Sequence, residues 1–140
     1  MAITNTSTTT PTQDGAALIG RVLIALLFVP AGWNKLMGFA GTVGYFTKIG
    51  VPLPEVAVVV AIVCELLVAL LLLVGFKTRL MAIILAVFTV ATAFLGHAFW
   101  NAPPEMLMAQ KINFYKNLAI AGGLLAFFAF GPGRFSIDKK

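Results

Sequence analysis

Residues 55–75 read EVAVVVAIVCELLVALLLLVG, and between Glu55 and Gly75 the single charged residue is Glu65. A helix rises 1.5 Å per residue, so about 20 apolar residues cross a hydrocarbon core roughly 30 Å thick. The run is longer than the roughly 10–14 apolar residues of a soluble core helix. Strands of a membrane barrel would alternate in polarity over shorter segments, and that alternation is absent. The segment predicts a membrane-spanning α-helix.

Working outward, three more runs meet the same length and composition: 16–35, 80–100 and 113–130. The expected fold is all-α, a four-helix transmembrane bundle running up-down-up-down. The linker at 76–79 is tight and makes the second and third spans antiparallel neighbours. The connection at 36–54 is long and carries Gly38, Gly41, Gly44 and Gly50. Within it Phe39, Val43, Phe46 and Ile49 recur at helical spacing, which predicts a short amphipathic segment at the interface between helices 1 and 2. Residues 101–112 include Pro103, Pro104 and Glu105 and read as an irregular loop. Gly131-Pro132-Gly133 stops the last span, because proline cannot extend a helix and glycine suits the turn.

The whole composition agrees. Of the 140 residues, 60% are hydrophobic and 11% are charged, against roughly 25% charged in soluble domains. A chain this small cannot hide that much apolar surface inside itself. The net charge of +5 is scattered over short connecting segments. It forms no basic stripe with interleaved aromatics, so a nucleic-acid partner is not expected, and the lipid bilayer is. Residues 1–14 are mostly Thr, Ser and Asn and read as a disordered polar tail. Residues 15–138 form one transmembrane domain, and 139–140 are a basic C-terminal end. No basic stretch precedes the first span, so a removable signal is not expected.

Lys and Arg set the orientation. Lys77, Arg79, Arg134, Lys139 and Lys140 fall on the side of the termini, and Lys48 and Lys111 on the other. Counting Arg21, Lys35 and Lys116, which lie within spans, keeps the excess on the same side. The expectation is a multi-pass protein of the bacterial cytoplasmic (inner) membrane with both termini cytoplasmic. Trp33, Tyr45, Trp100 and Tyr115 then fall near the outer boundary, as an interfacial aromatic belt does.

Polar groups inside spans are the functional candidates, since a charge at the helix centre costs about 2.5–3.5 kcal/mol on insertion scales. Glu65 is mid-span, about 15 Å from either end, and must be protonated, paired or reached by water. Arg21, Phe28 and Lys35 are spaced by seven and share one face of the first helix. Cβ atoms tilt toward a helix N-terminus, so Lys35 and Glu65, on oppositely running helices, lean toward each other in the outer half. His97 is the sole histidine and lies near the outer end of its helix. Alone it cannot build a bis-histidine haem or a zinc centre, but it suits a hydrogen bond to a quinone carbonyl or a proton transfer. Lys116 and Asn117 lie one turn in from the outer end of the last span, and Trp100 is close to His97. Pro30 removes a backbone donor in the first span. Each has a structural reading beside the functional one: Glu65 as a tie between helices, Arg21 and Lys35 as interfacial anchors, His97 as a satisfied core residue. Together they predict a polar pocket in the outer half of the bundle.

Several blocks bear a family resemblance: RVLIALLFVPAGWNK from Arg21 to Lys35, GTVGYF from Gly41, CELL from Cys64 and GFKTR from Gly75. HAFW from His97, KNLAIAGG from Lys116 and GPGRFSID from Gly131 continue the series. In that order and spacing the chain resembles the DoxX family of small bacterial membrane proteins, from about Gly20 to Asp138. The resemblance implies a four-helix inner-membrane protein. Some members resemble the small membrane subunit of a thiosulfate:quinone oxidoreductase, and others are linked with quinone or thiol stress.

The first expectation for function is a redox-associated subunit that binds a quinone or a similar small apolar ligand in that pocket. His97 and Lys35 would contact its oxygens, Glu65 would handle a proton, and Phe28 or Trp100 would pack on the ring, with Lys116, Asn117 and Arg21 also in the ligand-binding set. The alternatives are a non-catalytic membrane anchor or assembly partner, and a small-solute transporter. One cysteine, one histidine and no nucleotide-binding fingerprint argue against self-contained redox catalysis. No intrinsic cofactor or metal is expected, and any electron carrier would be a bound quinone or belong to a redox partner protein. Homo-oligomerisation is open.

Overall fold

Thr10 starts the first helix with reciprocal hydrogen bonds. Its hydroxyl accepts from the Gln13 amide at 3.2 Å while the Gln13 side chain accepts from the Thr10 amide at 2.7 Å. Proline at the first helical position completes a strong start signal. The computed structural model describes residues 8–139, and in it α1 spans Pro11–Met37 and runs through Pro30 without a break. The expected polar tail is therefore too long at its C-terminal side: residues 11–14 are helical, and Asp14 is buried. Residues 1–7 of the expected tail and Lys140 of the expected C-terminal end lie outside the described residues.

The short helix α2, Phe39–Lys48, follows directly after Gly38 and has no fully buried residue of its own. It lies against α3, Pro54–Val74. Proline again occupies the first turn, with Glu55 beside it where the helix dipole favours an anion. Within α3, residues Val63–Val68 adopt a π-helical turn, a local widening that often accompanies functional positions. Gly75, at φ 71°, closes the helix in the left-handed conformation that glycine adopts without strain.

Helix α4, Thr78–Gly96, therefore runs back antiparallel to α3, and a single 3₁₀ turn at Phe99–Asn101 leads out of it. The last helix, α5, spans Pro104–Phe130. Most of the stretch read as an irregular loop, 101–112, is thus the first two turns of α5. Prolines marked a break in the sequence, but Pro104 opens the helix, and the Glu, Met, Leu, Ala, Gln and Lys that follow are strong helix formers. Among the described residues, four helices are long and apolar enough to cross a membrane, in up-down-up-down order with α2 between the first two. Helix α1 packs on α3, and α4 packs along α5. Leu72, Ala82, Leu85 and Leu124 are fully buried where α3, α4 and α5 meet.

The residues after α5 fold back across the end of the bundle that carries both termini. Arg21, 1% exposed, donates from its two terminal nitrogens to the carbonyls of Leu73 and Phe135. The Asp138 carboxylate accepts from the Lys77 and Thr78 amides at 2.9 and 2.8 Å and from the Thr78 hydroxyl at 2.8 Å, capping α4. Asp14 accepts from the Arg134 amide at 2.8 Å, and Arg79 donates to the Phe128 and Ala129 carbonyls that end α5. Helix ends in a membrane protein leave backbone groups that must find partners. Here one C-terminal segment and two arginines supply them.

Candidate functional site

At the opposite end, the π-helical turn of α3 presents Glu65, 7% exposed, to α1. The Lys35 ammonium lies 3.1 Å from Glu65 Oε1, to which it donates a hydrogen bond, and 2.9 Å from Oε2. Opposite charges this close in apolar surroundings compensate each other's desolvation. The approach depends on Gly32, one turn before Lys35. A Cβ at that position would lie 2.8 Å from the Glu65 Cβ and 2.9 Å from Leu66 Cγ, so only glycine lets α1 come this close to the π turn.

His97 ends α4, its amide donating to the Ala93 carbonyl at 3.2 Å. Its Nδ1 is 2.8 Å from Oε1 of Gln110, on the first turns of α5. Asn117, two turns further along α5, donates to the Thr92 hydroxyl at 3.1 Å. The Thr92 and Thr89 hydroxyls in turn donate to the backbone carbonyls of Thr89 and Leu85, at 2.8 and 2.6 Å.

These groups surround one cavity of about 450 Å³ between α1, α3, α4 and α5, lined also by Tyr45 and Phe46 of α2 and by Ile49 just after it. That volume is within the roughly 300–1,000 Å³ of small-molecule sites, and the lining has their usual makeup, mostly apolar with a few placed polar groups. Phe28, Lys35, Glu65, His97 and Asn117 all line it. A second cavity of about 320 Å³ adjoins it beneath the connection into α5, sharing Tyr45, Ile49, Leu95 and Gly96, and Gln110 belongs to that one.

Three residues expected in the ligand-binding set lie elsewhere. Arg21 is at the other end of α1, fourteen residues or about 21 Å from Lys35 along the axis, and it holds the C-terminal segment. A shared helical face does not mean a shared depth in the membrane. Trp100 is half exposed and belongs to a cluster of rings, 5.2 Å from Phe99 and 5.6 Å from Phe114 between centroids. Lys116 is exposed on α5 and does not line the cavity.

The sequence reading missed Gln110, Gly32 and the part of α2 in lining the cavity. For Gln110 a signal existed. Gln110, Phe114, Asn117, Ala121 and Leu124 recur at helical spacing, and Phe114, Ala121 and Leu124 are buried. Extending α5 back to Pro104 would have placed Gln110 on that inward face. No local signal marks Gly32 as the point where α3 comes nearest.

Comparison with known proteins agrees with this architecture. The family model DoxX matches residues 16–98. The chain is 39% identical over 123 residues to the inner membrane protein YphA of Escherichia coli K12, covering 88% of each chain. It is 42% identical over 130 residues to the inner membrane protein YqjF of the same organism, covering 91% of this chain and 92% of that one. A Surfeit locus protein 4 homolog of Schizosaccharomyces pombe is 30% identical over 125 residues, which is 88% of this chain and 36% of that protein. No solved structure matches. With its four spans and these relatives, the chain belongs to the DoxX family of multi-pass inner-membrane proteins.

Proposed function

We propose that this protein binds a quinone or a similar small apolar molecule carrying ring oxygens, as the membrane-embedded part of a redox system. The observation that supports this most is the cavity itself: about 450 Å³ with apolar walls, interrupted by the Lys35–Glu65 pair and by His97. Phe28 offers a ring face for stacking. Lys35 and His97 hold the ligand oxygens, and Glu65 holds or releases a proton beside them. Electrons come from a partner protein, and the quinone supplies the two-electron chemistry when bound. The Lys and Arg excess at the end with both termini puts that end in the cytoplasm, so the cavity lies in the outer half of the membrane.

A second reading has its own support. At the cytoplasmic end the buried polar groups Arg21 and Asp14 serve packing alone. If Glu65 and His97 do likewise, the protein is an anchor or assembly partner. Native mass spectrometry of protein extracted in mild detergent separates the two. A quinone-like mass at one per chain, lost in His97→Ala while helicity is kept, is the expected result. Absence of any such mass, together with a reproducible protein partner, would instead favour the anchor.

A further inference from the structure

The helices around the cavity are not equally closed against the bilayer. Between α1 and α3 the wall is sealed by the close approach at Gly32 and by the Lys35–Glu65 pair. Between α4 and α5 the His97–Gln110 and Asn117–Thr92 hydrogen bonds join the outer ends. The seam between α1 and α5 has an exposed lining residue on one side only, Leu27 of α1. Among the described residues, Asn117 is the one α5 residue that lines the cavity, and it is half-buried and tied to Thr92.

The seam between α3 and α4 differs. Helix α4 packs on α3 through Val63–Val68 and Ala69–Val74, whereas the outer stretch Pro54–Ile62 packs on α1 and α2. Val60 of that stretch and Ala91 and Leu95 of α4 line the cavity and are also exposed, Val60 and Leu95 by about half. Side chains that border a cavity and are exposed stand at its mouth. With Ala57 and Phe88 beside them, the rim is apolar throughout. Helix α3 has 21 residues and is about 31 Å long, which matches a hydrocarbon core roughly 30 Å thick. Val60 is six residues in from Pro54, about 9 Å below the outer boundary. The mouth therefore faces acyl chains. The polar residues Lys48, Asn101 and Gln110 line the smaller cavity instead.

Resting on the proposed function, we infer that the cavity is filled from the bilayer by a ring that carries a long aliphatic tail. The ring enters between the outer halves of α3 and α4, and the tail stays in that gap. Lipid chains are as apolar as the Val, Ala and Leu of the rim, so a tail loses little by lying there. The chamber of about 450 Å³ then houses only the ring. A tail directed past Lys48 would meet water, which disfavours every exposed methylene.

The test uses the full chain in lipid nanodiscs and two probes at equal mole fraction in the bilayer. One is a benzoquinone with a ten-carbon tail bearing a photoreactive diazirine midway along it, and the other is the tail-less benzoquinone. Label that excess tail-less quinone suppresses is expected on residues 57–61 and 88–95. Suppressible label on Lys48 or Met106, or on α1 and α5, overturns the inference and leaves the proposed function standing. So does a tail-less quinone that binds while the tailed probe gives no suppressible label. Failure of both probes to bind overturns both readings. Ala91→Trp places an indole in the gap, and the tailed probe should weaken by at least about tenfold relative to the tail-less one. Equal losses for the two probes, or no loss for either, refute the gap as the place of the tail. Should that variant fail to fold, the labelling of the wild-type chain decides the matter.

Discussion

Replacing Gly32 with alanine tests the close approach of α1 to the π turn of α3. The added Cβ would lie 2.8 Å from the Glu65 Cβ, 2.9 Å from Leu66 Cγ and 3.1 Å from the Glu65 carbonyl carbon. Non-bonded carbons prefer about 3.5–4.0 Å, so the shortfall is roughly 0.7 Å against atoms of which two are fixed to the α3 backbone. Rotamer changes cannot relieve it, and α1 must move away from the π turn. Overpacking of this kind costs about 1–3 kcal/mol, and a contact with backbone belongs in the upper part of that range. Alanine is about 1 kcal/mol better than glycine as a helix former, which offsets part of the loss. The net expectation is a destabilisation of about 1–2 kcal/mol. Gly122→Ala is the control, because a Cβ there meets nothing within 4 Å. It should be neutral or stabilising by up to about 1 kcal/mol. Unfolding in mixed micelles, followed by circular dichroism as denaturing detergent is raised, measures both. A Gly32→Ala protein as stable as Gly122→Ala would refute the argument that glycine is there to admit the π turn.

Arg21→Met should destabilise the fold by about 3 kcal/mol, by leaving the Leu73 and Phe135 carbonyls without their charged donor. Ligand affinity of the folded fraction should not change, and lost affinity at full stability would contradict the placement of Arg21. Asp138→Ala removes the cap on α4 and should cost about 1–2 kcal/mol; hydrogen exchange at the Lys77 and Thr78 amides should accelerate, and unchanged protection would exclude the cap. Lys35→Met leaves a carboxylate whose side chain is 9% exposed without its counter-ion, whereas Glu65→Gln leaves a lysine side chain that is 24% exposed and can reach water. The lysine variant should therefore be the less stable of the two at neutral pH, by about 1–2 kcal/mol, and the double variant should recover part of that loss. Reporter fusions at the C-terminus should read as cytoplasmic, and a periplasmic signal would invert the assignment of the cavity to the outer half.

Much of this protein was legible before any coordinates. Four apolar runs of spanning length admit only helices, because lipid offers no partner for an open backbone. The number of spans, the antiparallel order and the short helix at 39–48 follow from length, turn residues and periodicity. The facing of Lys35 and Glu65 was also readable, since two helices of opposite direction tilt those side chains toward one another. Boundaries were less legible, because composition reports solvent and capping reports geometry. Thr10 and Gln13 extend α1 into a polar stretch, and Pro104 extends α5 into a supposed loop.

Depth and partnership belonged to the three-dimensional arrangement. Arg21 shares a face with Lys35, yet its partners are carbonyls more than fifty residues away in sequence, brought to it by the returning C-terminal segment. Gln110 reaches His97 only because α4 and α5 pack along each other. The π turn at Val63–Val68 has no signature in a run of Val and Leu, and Gly32 matters only because α3 passes it within contact distance. Helix formation and membrane insertion are governed by neighbours in the chain and by the solvent, so the linear order specifies them. A cavity is what packing leaves between distant segments, and its lining exists only once those segments have met.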